Sequence, residues 1–179
     1  FESQAGQLDL LLSAADEPGP YVVVGHSFGG GAAAHFADLH PHDTAGVVLV
    51  DASPAGWATT LCGGRDDTAV TSIREMCDGW SDPAANPEHL DVFGAFAELD
   101  AIVSLGDIPV SVLTAADREL PPEASSRERS RLGDAWAAGQ QRWASLSTRS
   151  RLITVTDSGH YVQLEQPTIV IDEIARLLP

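Results

Sequence analysis

This chain of 179 residues contains four short apolar runs. They alternate with stretches in which apolar positions recur every three or four residues. The runs are rich in valine, isoleucine and leucine and predict buried β-strands at residues 21–24, 46–50, 109–114 and 151–156. The helical spacing predicts amphipathic helices over residues 8–15, 28–40, 132–146 and 167–178. Strand–helix–strand order implies parallel pairing through right-handed crossovers. The predicted fold class is therefore α/β, a mostly parallel sheet with flanking helices.

The stretch from 52 to 106 interrupts this alternation. It has no sustained strand pattern, is rich in glycine, proline and charged residues, and shows only helical fragments near 70–76 and 90–105. We interpret it as a helical cap or lid insertion within a single domain that spans residues 1–179.

The charge balance of the chain restricts its partners. Ten basic residues against 26 acidic residues give a formal charge of −16, which repels the phosphates of nucleic acid and of anionic membranes. No apolar run approaches the ~18 residues that a membrane helix requires. We therefore expect no nucleic acid as a partner and no membrane span.

A serine stands between two glycines just after the first predicted strand, in the sequence Gly25-His26-Ser27-Phe28-Gly29. A strand that turns sharply into a helix around such a serine is a nucleophile elbow, which leaves the hydroxyl exposed. We expect glycines on both sides because flanking side chains would collide. The following helix points its N-terminus at the site, so the Phe28 N–H is a natural donor to an oxyanion. A plain structural turn is the alternative.

Because the carboxyl ends of parallel strands lie on one edge of a sheet, three later residues are expected beside Ser27. They are Asp51 after the second strand, Asp117 after the third and His160 after the fourth. A serine nucleophile requires an imidazole to take its proton and a carboxylate to orient that imidazole. We predict His160 as the base and favour Asp117 over Asp51 as the acid. Asp51 stays open as the acid or as a turn-capping residue, and Glu119 ranks behind both.

The two cysteines, Cys62 and Cys77, lie between the second and third predicted strands. No CxxC or His-Cys cluster accompanies them, so they do not indicate a metal site. A disulfide between them would indicate an oxidising compartment, whereas two buried thiols would fit the cytoplasm equally well. The location of the protein stays open, with export slightly favoured over the cytoplasm.

Two segments together carry a resemblance to a known superfamily: residues 19–30, which contain the elbow, and residues 157–164, Asp-Ser-Gly-His-Tyr-Val-Gln-Leu. The chain resembles the α/β-hydrolase superfamily over nearly its full length, and most of all bacterial serine hydrolases of the esterase and lipase type. The resemblance implies Ser27 as nucleophile, His160 as base, the Phe28 N–H as oxyanion donor and the stretch after the second strand as a cap. It also implies hydrolysis of a small-molecule carboxylic ester, or of an amide or lactone, without a cofactor.

The chain departs from the superfamily at its front. The family's early strands and its His-Gly oxyanion loop precede the elbow, whereas a single predicted helix does so here. We expect an α/β-hydrolase fold that lacks roughly its first third, which a second chain or an upstream segment completes. In many relatives the turn after this third strand is poor in acidic residues, which keeps Asp51 open. A cofactor-free perhydrolase or haloperoxidase and a non-catalytic domain that binds a ligand or partner are the alternative functions.

Overall fold

The computed structural model describes residues 1–63, 70–84, 86, 89–118 and 120–179. Its strands are β1 (Tyr21–His26), β2 (Thr44–Val50), β3 (Val110–Ala115) and β4 (Ser150–Val155). Its α-helices are α1 (Glu2–Ala14), α2 (Gly29–Leu39), α3 (Trp57–Cys62), α4 (Thr71–Ser81), α5 (Val92–Glu98), α6 (Ser126–Ser145), α7 (Val162–Glu165) and α8 (Pro167–Leu177). Short 3₁₀ helices occupy Pro41–Asp43 and Leu99–Ala101. No helix in these described ranges is long and apolar enough to cross a membrane.

The strands form one parallel sheet in the order β1-β2-β3-β4. Val24 of β1 lies opposite Val48 of β2, which in turn lies opposite Ser111 of β3. At least one helix connects each strand to the next, as parallel pairing requires. The predicted α/β class, with a parallel sheet and flanking helices, is confirmed.

Both faces of the central strand β2 are covered by helices. Val47 and Leu49 belong to a core shared with α2 and α6, whereas Val48 and Val50 pack with residues of α8. All four side chains are at most 1% exposed, which explains why the strand has a continuous apolar sequence and no alternation. The sheet is thereby a rigid frame for the residues that follow its strands.

The region between β2 and β3, where the sequence predicts a cap, contains α3, α4 and α5. The helices α4 and α5 match the two predicted helical fragments, although α5 ends earlier than expected. The helix α3 was not predicted because six residues are too few to show a helical period. The predicted insertion also includes residues 64–69, 85, 87 and 88, which lie outside the described residues.

A disulfide between Cys62 and Cys77 joins α3 to α4 across 15 positions of the sequence. We expect no thiol to react with Ellman's reagent when the non-reduced protein is unfolded. The Cys62→Ala/Cys77→Ala double variant should lose about 3 kcal/mol of unfolding free energy, because its unfolded chain regains the entropy of the open loop. Denaturant unfolding of both proteins measures this loss. Two reactive thiols in the non-reduced protein would contradict the bridge and remove the argument for export.

The strand β1 forms one edge of the sheet. Its inner side pairs with β2, and no strand in the described part of the chain pairs with its outer side. Val24, in the middle of this strand, is 43% exposed. An exposed edge carries unpaired N–H and C=O groups, and apolar side chains beside them favour pairing with a further strand.

Candidate active site

The serine of the elbow is held by backbone hydrogen bonds at the end of β1. Ser27 has a left-handed φ of 51°, which is uncommon for a residue with a side chain. Its N–H donates to the carbonyl of Val50 at 3.1 Å, and its carbonyl accepts from the N–H groups of Gly30 and Ser53 at 3.1 and 3.0 Å. These bonds tie the elbow to the end of β2 and support the strained turn.

The glycines around the elbow differ in what they permit. A Cβ at Gly25 would lie 2.5 Å from the carbonyl oxygen of Gly29, and a Cβ at Gly30 would lie 2.3 Å from the Cβ of Ala52. A Cβ at Gly29 would meet nothing within 4 Å. Crowding therefore requires glycine at Gly25 and Gly30, and the expectation of a collision at Gly29 was wrong.

His160 lies between Ser27 and Asp51, in the loop between β4 and α7. Its Nε2 is 2.9 Å from the Ser27 Oγ, and its Nδ1 is 2.7 Å from the Asp51 Oδ2. A carboxylate only accepts hydrogen bonds, so Nδ1–H donates to Asp51 and the unprotonated Nε2 accepts from the serine hydroxyl. This is the arrangement in which an imidazole can take the proton of a serine.

His26 holds the backbone of His160. The Nε2 of His26 donates to the carbonyl oxygen of His160 at 2.9 Å, and the two ring centroids are 4.7 Å apart. Burial lowers the pKa of His26, so this imidazole is neutral at neutral pH. This contact joins the end of β1 to the loop that carries His160.

Asp51 is fully buried, and its carboxylate is surrounded by donors. The backbone N–H of Ala115 and the indole Nε1–H of Trp136 each donate to Oδ1 at 3.1 Å. The Thr114 hydroxyl donates to the same oxygen at 3.4 Å. The other oxygen, Oδ2, faces His160. Partners on both oxygens hold this buried carboxylate in one orientation.

Asp117, the acid that the sequence favoured, does not approach His160 in this way. Its side chain is exposed, and no hydrogen bond or ion pair joins its carboxylate to His160 in the described structure. The backbone beyond β3 continues to pair with β4 and its loop, because the N–H groups of Ala116 and Asp117 donate to the carbonyls of Val155 and Ser158. The structure therefore brings Asp51, and not Asp117, to the imidazole of His160. Glu119, the third candidate, lies outside the described residues.

Phe28 follows the serine and precedes the first turn of α2, where helical N–H groups have no partner within the helix. In the described part of the chain its N–H donates to no protein acceptor. Its ring packs against Phe1 and Phe96 at centroid distances of 4.5 and 5.6 Å. A fixed side chain with a free N–H beside the serine fits the predicted role of oxyanion donor.

A cavity of about 360 Å³ opens over Ser27 and His160. Its walls are largely apolar and come mainly from α3, α4 and the segment before α6: Trp57, Leu61, Ile73, Met76, Trp80 and Leu120. The disulfide joins the two helices that supply most of these side chains. Within the described residues, no group of three or more His, Cys, Asp or Glu side chains is placed to hold a metal ion.

Sequence reasoning missed two of the residues around Asp51. Trp136 lies on the predicted amphipathic helix over residues 132–146 and is buried, and its indole N–H also donates to the Asp51 carboxylate. Arg118 was not singled out at all, although it lines the cavity together with Ser27 and His160. A lone arginine directly after Asp117 at the end of a strand was the available signal.

The family model described as the alpha/beta hydrolase family matches residues 2–173. The chain therefore belongs to the alpha/beta hydrolase family, a hydrolase superfamily with esterase-like and lipase-like members. The uncharacterized protein YqjL of Bacillus subtilis is 26% identical over 170 residues, which cover 94% of this chain and 61% of that protein. Lipase LipV of Mycobacterium tuberculosis is 39% identical over 97 residues, 54% of this chain and 31% of the lipase.

The same architecture is found among solved structures. Est816, described as an N-acyl homoserine lactone degrading enzyme, superposes with a TM-score of 0.64 at 19% identity, over 99% of this chain and 74% of that chain. At this identity the likeness shows the fold alone. The chain spans about three fifths of the length of YqjL, since the matched residues cover 61% of that protein.

Proposed function

We propose that this chain carries the active site of a serine hydrolase that cleaves carboxylic esters, with amides or lactones as related substrates. The observation that supports this most directly is the unbroken path Ser27–His160–Asp51, with contacts of 2.9 and 2.7 Å. A serine, a base and an orienting acid within hydrogen-bond reach are what acyl transfer requires. The similarity to a lipase over part of the chain points to the same chemistry.

In the proposed first half-reaction, the Ser27 Oγ attacks the carbonyl carbon of the ester while His160 Nε2 takes the hydroxyl proton. The Phe28 N–H stabilises the resulting oxyanion, and Asp51 stabilises the imidazolium without taking its proton. Collapse of the intermediate breaks the bond to the alkoxy oxygen, which receives the proton from His160 and leaves as an alcohol. The acyl group remains as an ester of Ser27.

In the second half-reaction, a water molecule loses a proton to His160 and attacks the acyl carbon. The tetrahedral intermediate expels the Ser27 oxygen, which regains the proton from His160, and a carboxylic acid is released. The apolar cavity formed by α3 and α4 would accept an apolar acyl or alcohol group. These helices are accordingly proposed as part of a cap over the site.

The open edge of β1 supports a further element of the proposal. Strands from an upstream segment or a second chain would pair with this edge and cover Val24. The same strands would bring a second backbone N–H to the oxyanion, opposite that of Phe28. Without this second N–H donor, the rate of ester hydrolysis is expected to be lower by about 10²–10³-fold.

The proposed function is tested with a fluorophosphonate, which forms a stable bond only to an activated serine. We expect one label per molecule of intact protein, located on the peptide that contains Ser27 by mass spectrometry. The rate at which the protein hydrolyses a chromogenic short-chain ester should fall in proportion to the fraction of molecules that carry the label. A label on a different residue would contradict the site, and a folded protein without label or turnover would favour the non-catalytic alternative.

A further inference from the structure

The guanidinium of Arg118 lies over the ring of Trp136 and near that of Trp57, next to Asp51. Its Cζ is 3.3 Å from the ring centroid of Trp136 and 5.0 Å from that of Trp57. The two indoles contact each other edge to face, with centroids 4.8 Å apart. A cation held over aromatic faces in a desolvated position is stabilised by the ring quadrupoles. The aromatic pair therefore fixes the place of this positive charge.

Arg118 offers Asp51 a charge but no hydrogen bond. Its Nη1 is 3.9 Å from the Asp51 Oδ2, which is within reach of an ion pair and beyond hydrogen-bond distance. Both Nη1 and Nε are buried without an acceptor in the described structure. Oδ2 is the oxygen that accepts from His160, so the arginine attracts it without competing for the same lone pair.

The side chain of Asp51 is fully buried, so a cation beside it is only weakly screened by water. In the described part of the chain, Arg118 and His160 are the basic side chains that contact it. Burial lowers the pKa of Arg118 to about 10, so the guanidinium keeps its charge at neutral pH. The positive charge of Arg118 thus lies beside the carboxylate of Asp51 in a buried place.

The other groups around His160 differ in whether they favour the charged form of its imidazole. Asp51 favours the charged imidazolium, as do the acidic side chains that line a polar cavity on its other side: Asp117, Asp157 and Glu165. His26 faces His160 ring to ring, but its burial keeps it neutral. The ring of Tyr161 also contacts the imidazole. Among the described side chains around His160, Arg118 is thus the one with a permanent positive charge.

We propose that Arg118 is a positioning residue that acts through Asp51 and fixes the lowest pH at which His160 still serves as the base. This inference rests on the proposed function. A cation beside the Asp51–His160 pair disfavours a second positive charge on the imidazole, so His160 stays unprotonated to lower pH. The activity range is thereby extended on the acidic side.

The test measures the rate of fluorophosphonate labelling of Ser27 between pH 4.5 and 8.5. In Arg118→Met, the pH at which the labelling rate falls to half should rise by about one unit. A positive charge next to the Asp51–His160 pair changes the proton affinity of the imidazole by about that amount when solvent partly screens the interaction. Arg118→Lys keeps the charge and should leave this midpoint within about 0.3 unit of wild type. Arg149→Met removes the same charge from an exposed position before β4 and should leave the midpoint unchanged.

Circular dichroism verifies that each variant is folded. If Arg118→Met does not fold, Arg118→Gln provides the same comparison with a planar polar group over Trp136. A folded neutral variant with the wild-type midpoint would overturn the inference, as would a rise of about one unit in Arg118→Lys. Failure of the wild-type protein to be labelled on Ser27 at any pH would instead contradict the proposed function.

Discussion

Replacement of Ser27 by alanine is expected to abolish ester hydrolysis, with a loss in turnover of about 10⁶-fold. The variant lacks the oxygen that forms the acyl intermediate, and no second nucleophile of the described residues contacts His160 Nε2. His160→Ala should have a loss of similar size, because the serine hydroxyl is a poor nucleophile without its base. Initial rates with a chromogenic ester, measured at saturating concentration, give both losses.

His42→Ala is the matched control for the histidine, since His42 is exposed in the 3₁₀ helix before β2. We expect it to retain wild-type turnover. The double variant Ser27→Ala/His160→Ala should be no slower than either single variant, because residues that act as a unit are not additive. Wild-type turnover in folded Ser27→Ala would exclude the acyl-serine mechanism.

Asp51→Asn is expected to lower turnover by about 10⁴-fold while the protein stays folded. Asparagine has the shape of aspartate, but its amide group can donate to His160 Nδ1 and so select the other tautomer. Nε2 would then carry the proton and could no longer accept one from Ser27. The substitution also removes the negative charge that stabilises the imidazolium. Turnover of wild type and variant on the same ester gives the ratio.

Asp117→Asn is the matched control, because it makes the same chemical change at the neighbouring strand end. Its exposed carboxylate has no contact with His160 in the described structure, so turnover should change by less than about twofold. Small, equal effects of both substitutions would show that neither carboxylate is the acid. A large effect of Asp117→Asn alone would restore the preference that the sequence suggested.

Much of the fold follows from local sequence. The apolar runs 21–24, 46–50, 109–114 and 151–156 became strands whose observed ends differ by no more than two residues. Buried parallel strands are readable in this way because both faces are covered, which makes each strand a continuous apolar segment. The short helix α3 escaped detection, and α1 begins at Glu2, earlier than its leucines suggested. A helix of six residues is too short to show a periodic pattern.

The elbow and the place of His160 beside Ser27 could also be predicted from the sequence, because each depends on residues close together along the chain. The glycine at position 25 is needed by the backbone of its own turn, and His160 lies in the loop that follows β4. Such local constraints leave a pattern of residue types that a single sequence displays.

The partner of His160 was decided by tertiary structure. Asp51 and Asp117 both follow strands, and their distance along the chain from His160 says nothing about which carboxylate reaches the imidazole. The choice depends on how β3 continues beside β4 and on donors from Ala115 and Trp136, which converge on Asp51 from two other elements. The position of Arg118 over Trp136 and near Trp57 also depends on contacts between distant segments. Contacts between distant segments are set by packing, and therefore only the folded chain determines them.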